Sequence, residues 1–263
     1  MEKQRADLIE ELQKLIAGMI ATAPAGQGLS LIGGVRFRLL DASPRMSVDI
    51  DYHWDGSLTD KQQEVTTFLR KKVLPEVKRK FGYEGTARPA TGPVADSAFT
   101  KVIELAFYPP DIPNSRIEMP VDITRIECAD KPVARTHGGI VYLTVSDTDM
   151  IESKIVALMS RVYVEARDIL DIFLFENLLS PRSAERIVEK LSRQRISRTD
   201  MVKRIESIMN SRAVHVKNLR EIMASQLDTE TVRRLREGGD ADAVFERVMK
   251  ILYEDPDLAK IFR

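Results

Sequence analysis

Apolar and polar residues alternate along this chain with two distinct periods, and each period predicts one kind of secondary structure. Over residues 5–20 the spacing is helical, which predicts an opening amphipathic helix with an apolar stripe of Leu8, Leu12, Leu15, Ile16 and Met19. Between Met46 and Trp54 the period is two, with Val48, Ile50 and Tyr52 on one side and Ser47, Asp49 and Asp51 on the other. Such alternation is typical of a strand with one buried face.

The remaining pattern predicts an α+β first half and an all-α second half. A helix is expected over 59–81 with a disturbance at Pro75, strands over 98–108, 116–126 and 139–145, and a turn over 109–115. From Ser146 onward the pattern is helical, with helix starts expected at Ser183, Thr199, Thr229 and Asp240 and helix stops at 238–239 and 255–256. We therefore expect a mixed sheet with helices over residues 1–180, followed by a helical lobe over 181–263.

Composition limits the class of protein without identifying it. The 263 residues carry 40 Lys and Arg against 40 Asp and Glu, so the formal net charge is zero and the whole chain is neither basic nor acidic. The single cysteine excludes an intramolecular disulfide framework and a cysteine-based zinc site. No apolar run is long enough to cross a bilayer, and charged residues interrupt the first 20 positions, which argues against a signal peptide. We expect a cytoplasmic globular protein.

Charge is uneven between segments. Residues 182–220 carry 11 Lys and Arg against 4 Asp and Glu, a net charge of +7, and residues 61–88 carry 8 against 3, a net charge of +5. Either segment is a candidate for contact with nucleic acid, and either is equally consistent with a solvated helix face.

The stretch with the clearest chemical content joins Gly33-Gly34 to the acidic strand. On a strand, Asp49 and Asp51 point to one face about 6 to 7 Å apart. Two neighbouring carboxylates repel each other unless a cation lies between them, and hard oxygen ligands suit Mg²⁺, which takes the rest of its shell from water and phosphates. Glycines before a short helix allow close approach of the backbone to a phosphate.

A third acid is expected on another strand. Among Glu118, Asp122 and Glu127, Asp122 has the best strand context because β-branched residues flank it on both sides. Three carboxylates on adjacent strands can hold two metal ions, one for the attacking hydroxyl and one for a leaving pyrophosphate. An Asp-x-Asp pair is also common on the solvent face of an ordinary strand, so this alternative stays open.

Residues 151–171 contain no glycine or proline and have a helical period. One stripe of that predicted helix carries Lys154, Leu158, Arg161, Glu165 and Asp168. If the stripe faced the acidic strand, Lys154 and Arg161 could hold a triphosphate. The alternative is a solvated helix face with ordinary ion pairs.

These pieces occur in one order, and together they resemble the AbiEii/AbiGii nucleotidyltransferases. This family comprises toxin components of abortive-infection, type IV toxin–antitoxin systems and belongs to the DNA polymerase β-like nucleotidyltransferase superfamily. The resemblance covers residues 29–175 and rests on Gly33-Gly34, Arg45-x-Ser47-x-Asp49-x-Asp51, Val121-Asp122-Ile123, Lys154-x-x-Ala157-Leu158-x-x-Arg161 and Arg167-Asp168-x-x-Asp171. Where the family commonly has Thr-Ala after the glycines, this chain has Val35-Arg36.

The resemblance implies a polymerase-β-like core and a reaction. The implied reaction is Mg²⁺-dependent transfer of a nucleotide from an NTP to an acceptor hydroxyl, with release of pyrophosphate. The resemblance implies that the metal is held by Asp49, Asp51 and Asp122, that the triphosphate is lined by Gly33, Gly34 and Ser47 and neutralised by Lys154, and that Asp171 is a site residue. The favoured acceptor is the 3′ end of tRNA, and a cognate antitoxin is the implied partner.

Two other functions remain open at this stage. The same metal site could modify a protein or a small molecule, without need of a basic lobe. A catalytically silent nucleotide-binding protein of the same fold is the third hypothesis, and it would gain no stability from Mg²⁺ with any NTP.

Overall fold

The computed structural model describes residues 2–92, 97–110 and 116–254. Most of the expected turn over 109–115 and the expected stop at 255–256 lie outside these residues. The helices are α1 Glu2–Thr22, α2 Gly33–Leu40, α3 Leu58–Phe68, α4 Leu74–Phe81, α5 Asp147–Ser160, α6 Ala166–Phe175, α7 Ser183–Arg193, α8 Arg198–Asn210, α9 Arg212–Gln226, α10 Thr229–Glu237 and α11 Asp240–Glu254. The strands are β1 Ser30–Ile32, β2 Ile50–His53, β3 Glu84–Pro89, β4 Thr100–Tyr108, β5 Ile117–Glu118, β6 Val121–Thr124, β7 Val133–His137 and β8 Ile140–Thr144.

The chain divides into two compact units. The sheet unit comprises Met1–Ile126 and Pro132–Val145, and the helical unit comprises Glu127–Lys131 and Ser146–Arg263. The division falls at the residue where the sequence pattern becomes helical, Ser146, and not at the expected boundary of 180–181. The physical reason is that α5 and α6 pack against α7, α9 and α11, so they share a core with the later helices.

One mixed sheet organises the sheet unit. Among the described residues its strand order is β3-β4-β6-β2-β1-β8-β7, with β5 paired to β4. The central strand β2 runs antiparallel to β1 and parallel to β6. In the parallel pair, Asp51 lies opposite Asp122 and Tyr52 lies opposite Ile123. Because side chains alternate across a strand, this register separates an acidic face of the sheet from an apolar one.

The apolar face carries the core of the sheet unit. Ile50 and Ile123 are fully buried and belong to the same cluster as Leu12 of α1 and Val65 of α3. The burial of apolar area in this layer provides most of the stability of the unit. It also fixes which way the strand residues point, because a slip of one residue would place the carboxylates in the core.

Two strands differ from the sequence prediction. The strand expected over 46–54 is confined to β2, and Val48, expected in the core, is 42 % exposed. The strand expected over 116–126 is divided into β5 and β6 at 119–120, because Pro120 has no backbone N–H to donate to a ladder. The carbonyl of Pro120 still accepts a hydrogen bond of 2.9 Å from the backbone N–H of Ile50, which brings β6 into register beside β2.

The predicted continuous helix over 151–171 is wrong. Helix α5 ends at Ser160 and α6 begins at Ala166, although no glycine or proline lies between them. The Arg204 guanidinium donates hydrogen bonds to the carbonyls of Leu158, Arg161 and Val162 at 3.1, 2.8 and 3.3 Å. These are carbonyls at the end of α5, so a side chain about 40 residues away caps the helix. Lys154 and Asp168 therefore do not share a single helical stripe.

A buried charge cluster stabilises the helical unit. Lys190 Nζ lies 2.5 Å from Asp149 Oδ1 and 2.7 Å from Glu152 Oε2, and all three side chains are almost completely buried. Burial by itself raises the pKa of Asp149, but hydrogen bonds from the Ala129 and Asp130 amides and from Lys190 lower the pKa below its ordinary value. The cluster thereby attaches residues 127–131 to α5 and α7. None of the described helices combines the length and hydropathy needed to cross a membrane.

Candidate active site

A glycine pair forms the junction between β1 and α2. Gly33 has a φ of +73°, a left-handed conformation that favours glycine. A Cβ atom at Gly33 would lie 2.0 Å from Asp51 Oδ2, and a Cβ at Gly34 would lie 2.6 Å from Ser47 Oγ and 2.9 Å from Arg45 Nη2. Both glycines therefore allow polar side chains to approach the start of α2.

Two carboxylates meet on the acidic face of the sheet. Asp51 and Asp122 are direct neighbours on parallel strands, and both side chains are half-buried. Asp49 precedes β2 by one residue and is also half-buried. The acid that the sequence selected from three alternatives, Asp122, is thus the one that faces Asp51.

Neighbouring side chains hold the backbone around Ser47 by hydrogen bonds to its carbonyls. The side-chain amide of Gln13, on α1, donates a hydrogen bond of 2.8 Å to the Ser47 carbonyl, and Gln13 is only 4 % exposed. Arg45 is 3 % exposed, and its Nη1 donates to the carbonyl of Met46 at 3.2 Å. This segment is therefore held in place although it is not part of a regular strand.

Arg36 does not belong to this site. Its side chain is fully buried, forms an ion pair with Asp41 and donates a hydrogen bond of 3.3 Å to Thr144 Oγ1. Its charge is consequently neutralised within the sheet unit. The departure from the family pattern after the glycines leaves the turn itself, with its close contacts to Asp51 and Ser47, in place.

The donor set fits Mg²⁺ in its chemistry. All three candidate ligands are carboxylates, the hard oxygen ligands that Mg²⁺ prefers, and the glycine turn keeps the space beside Asp51 free of a side chain. Within residues 2–92, 97–110 and 116–254, no three His, Cys, Asp or Glu side chains converge closely enough to form a preassembled metal cluster. The arrangement is a facing pair of acids with Asp49 close by in sequence, which suits an ion that retains water and phosphate ligands.

The other expected site residues form a second group in the helical unit. Lys154 Nζ lies 2.9 Å from Asp171 Oδ2 and 3.2 Å from Asp168 Oδ1, and Arg161 Nη1 lies 2.5 Å from Asp168 Oδ2. Both aspartates are buried. The two cations thus neutralise acids of their own unit, and Asp168 and Asp171 act together as their partners.

The basic segment over 182–220 is largely neutralised as well. Arg212 and Arg220 pair with acids at the start of α11, and Arg193 pairs with Glu127 and Glu189. Arg186 and Lys190 belong to the buried cluster around Asp149. The net charge counted along the sequence therefore overstates the charge this segment presents to a nucleic acid.

Sequence reasoning assigned no role to Arg45 and Gln13, which shape the same site. The period of two that places Ser47 with Asp49 and Asp51 continues upstream to Arg45, and this was the available signal. Gln13 lies 34 residues before the residue it contacts, and no local pattern announces it.

Comparison with solved structures finds proteins of similar fold. The fold is similar to that of JHP933 from Helicobacter pylori, with a TM-score of 0.54 and 17 % identity over 97 % of this chain and 98 % of that chain. It is also similar to MenT4, a nucleotidyltransferase toxin from Mycobacterium tuberculosis, with a TM-score of 0.54 and 15 % identity over 96 % of this chain and 94 % of that chain. No curated protein matches the chain in sequence.

The mixed sheet with its helices is the fold of nucleotidyltransferase toxins. The family model for the AbiEii nucleotidyl transferase toxin of type IV toxin–antitoxin systems matches residues 14–252. The chain belongs to this family, and it is a nucleotidyltransferase. The resemblance noted on the sequence motifs is thereby confirmed, and the hypothesis of a catalytically silent protein loses its support.

Proposed function

We propose that this toxin transfers a nucleoside monophosphate from an NTP to RNA, with the 3′ end of tRNA as the favoured acceptor, in a Mg²⁺-dependent reaction that releases pyrophosphate. The observation that carries the proposal is the in-register pair of Asp51 and Asp122 beside the Gly33 turn. Membership of a toxin–antitoxin family implies a nucleotide substrate and an antitoxin partner. We also propose that the protein acts in the cytoplasm, where RNA and NTPs are available.

Each site residue has a role in the proposed reaction. Asp49, Asp51 and Asp122 would hold the metal, which when bound supplies positive charge to the attacking hydroxyl and to the departing pyrophosphate. The acceptor oxygen forms a bond to the α-phosphorus while the bond between the α- and β-phosphates breaks, and the hydroxyl proton passes to Asp122. Gly33, Gly34 and Ser47 line the triphosphate, because backbone amides at the start of α2 favour an anion.

The residues of the helical unit have complementary roles in this proposal. Lys154 and Arg161 neutralise the triphosphate, and Asp171 holds the Lys154 ammonium in position. An ammonium between two buried carboxylates has a restricted orientation. We further propose that the acceptor contacts exposed cations of 182–220, such as Arg195 and Lys203.

A transfer assay tests the proposal directly. Purified protein is incubated with Mg²⁺, total RNA and each of the four α-labelled NTPs in turn. The Asp49→Ala/Asp51→Ala variant is the negative variant, and Asp60→Ala is the matched control, because Asp60 is an exposed acid in the first turn of α3. We expect label in a tRNA-sized band from one or two NTPs with the wild type and the control, and no label with the double variant.

The outcome also separates the acceptor classes. Label that survives the double substitution would contradict the assignment of the acids. Folded wild-type protein that labels no RNA but labels itself, another protein or a small molecule would transfer the proposal to the alternative acceptors. RNA binding that weakens steeply with salt, in parallel with the labelling, would support an RNA acceptor.

A further inference from the structure

We propose that Arg45 positions the phosphate side of the active site, a role that rests on the proposed use of an NTP. Its buried guanidinium orders Ser47 and the Gly34 turn and contributes the positive charge that a triphosphate requires. Arg45 is a positioning residue in this proposal, since it acts through Ser47 and the turn.

Gly34 differs from Gly18 and Gly85, two other glycines of the sheet unit, in the polar groups that a Cβ would approach. A Cβ at Gly18 or Gly85 would meet apolar side-chain atoms first, Ile140 Cδ1 at 2.7 Å and Leu74 Cδ2 at 2.8 Å. Such glycines serve close packing. At Gly34 a Cβ would lie 2.5 Å from Ser47 Cβ, 2.6 Å from Ser47 Oγ and 2.9 Å from Arg45 Nη2, so two groups that can donate hydrogen bonds reach this turn. A turn that gathers donors beside a helix start is suited to an anion.

The polar groups are also sorted along the turn. The space beside Gly33 holds the Asp51 carboxylate, and the space beside Gly34 holds the guanidinium and the hydroxyl. Consecutive Cα atoms are about 3.8 Å apart, so the carboxylate, which can bind a cation, is adjacent to the guanidinium and hydroxyl, which can bind an anion. A metal–triphosphate has the complementary arrangement, with a cation next to phosphate oxygens. The sorting therefore assigns Arg45 to the phosphates and Asp51 to the metal.

The buried position of Arg45 strengthens its effect. A charge at 3 % exposure is poorly screened by water, so its field reaches a neighbouring phosphate more strongly than that of an exposed arginine. Among the contacts of Arg45, Ser43 Oγ accepts a hydrogen bond from its backbone N–H at 3.2 Å, and its Nη1 donates to the Met46 carbonyl at 3.2 Å. A pre-ordered donor loses little conformational entropy when the anion binds.

Arg36 offers a matched control. It is also a buried arginine of the sheet unit, it lies two residues after Gly34, and its ion pair with Asp41 gives it a structural role. Substitution of either arginine removes one buried positive charge. Only substitution of Arg45 removes a guanidinium from the glycine turn.

The test measures binding of polyphosphates rather than catalysis. Inorganic tripolyphosphate and pyrophosphate are titrated calorimetrically into the wild type, Arg45→Gln, Arg45→Lys and Arg36→Gln in EDTA, with the folded state of each checked by circular dichroism. We expect Arg45→Gln to weaken tripolyphosphate binding about tenfold or more, as for loss of a charge-assisted contact. The loss should be larger for tripolyphosphate than for pyrophosphate. Arg45→Lys, which keeps the charge, should recover part of the affinity, and Arg36→Gln should change it less than about twofold.

A kinetic readout separates positioning from general destabilisation. In the transfer assay we expect Arg45→Lys to raise KM for the NTP more than it lowers kcat. Wild-type affinity in Arg45→Gln, or equal losses in both arginine variants, would overturn the inference. If Arg45→Gln does not fold, unchanged tripolyphosphate binding and unchanged KM in Arg45→Lys would overturn it equally. Failure of the wild type to transfer any nucleotide, with Arg45-dependent tripolyphosphate binding intact, would count against the proposed function alone.

Discussion

Substitution of Gly33 by alanine tests whether the glycine turn exists to accommodate the Asp51 carboxylate. An alanine at a φ of +73° carries the strain of a left-handed residue, about 1–2 kcal/mol. The new Cβ would also lie 2.0 Å from Asp51 Oδ2 and 2.8 Å from Asp51 Cβ. Rotation of the aspartate side chain relieves the first contact but not the second, so the backbone of β2 must also shift.

Gly82 provides the control for backbone strain. It ends α4 with a φ of +76°, and a Cβ there would meet nothing within 4 Å. Gly82→Ala should therefore lower the free energy of unfolding of the sheet unit by the strain alone, about 1–2 kcal/mol. Gly33→Ala should lose roughly a further 1–3 kcal/mol from overpacking against Asp51. The difference between the two variants isolates the contact with the carboxylate.

Gly33→Ala should lower the rate of nucleotide transfer as well as the stability of the sheet unit. To reach an ordinary contact distance of 3.4 Å from 2.0 Å, the Asp51 carboxylate must move by about 1.4 Å. A displacement of about 1 Å can cost on the order of a hundredfold in rate. We expect Gly33→Ala to lose about a hundredfold or more of nucleotide transfer and Gly82→Ala to remain within about twofold of the wild type.

Urea unfolding and the transfer assay measure these two effects. Trp54 is the only tryptophan of the chain and lies in the sheet unit, so its fluorescence reports on the unit that contains both glycines. The reasoning would be refuted if both variants lost the same stability and the same activity. Full activity in Gly33→Ala would likewise show that Asp51 does not need its present position.

Three further predictions concern the helical unit. Lys154→Met leaves two buried carboxylates without their ammonium and should destabilise the unit by about 3–5 kcal/mol. Arg161→Met removes a cation at a half-exposed position and should cost about 1 kcal/mol or less. Chemical unfolding followed by circular dichroism measures both losses of stability, and equal losses would contradict the assignment. Arg204→Ala removes the donor to three carbonyls at and just beyond the end of α5. It should increase chymotrypsin cleavage after the exposed Tyr163, measured by mass spectrometry of timed digests. An unchanged digestion rate would show that the turn does not depend on this cap. The pKa of Asp149 is lowered in the folded state by hydrogen bonds that outweigh burial, so its ionised form adds stability above the unfolded value of about 3.9 and loses that contribution as the pH falls toward the folded pKa. The stability difference between wild type and Asp149→Asn should therefore shrink as the pH falls from about 5 to about 3, and a constant difference across this range would refute the assignment.

Local patterns predicted the elements that obey local rules. The helix starts at Ser183, Thr229 and Asp240 are found at the expected residues, because the apolar periodicity that predicts them acts within a few residues. The start at Thr229 is also capped locally, since the Asp228 side chain accepts from the Thr231 N–H. Strands β3 and β7 were not predicted, since their residues are mostly exposed and show little apolar alternation. The break at the end of α5 was not predicted either, because Arg204, which caps it, lies far along the chain.

The candidate site likewise contains residues that could be proposed from the sequence and contacts that only the fold decides. Gly33 and Gly34 could be proposed from the sequence because they lie a short distance before the acidic strand, whereas Ser47 was implied by the family resemblance. The behaviour of the cations could not be proposed, since ion pairing depends on which acids the fold brings near. Arg36 and Arg45 have the same chemistry in the sequence, and only the fold places one beside Asp41 and the other beside Gly34.

The sequence by itself determined that Asp51 alternates with the buried Ile50 and Tyr52, because the alternation of side chains along a strand is a property of the backbone. It also determined a mixed first half and a helical second half, through the change of apolar period at Ser146. Only the tertiary structure decided that Asp122 lies opposite Asp51. The two residues are 71 positions apart, and parallel pairing of β2 with β6 depends on a core assembled from the whole sheet unit.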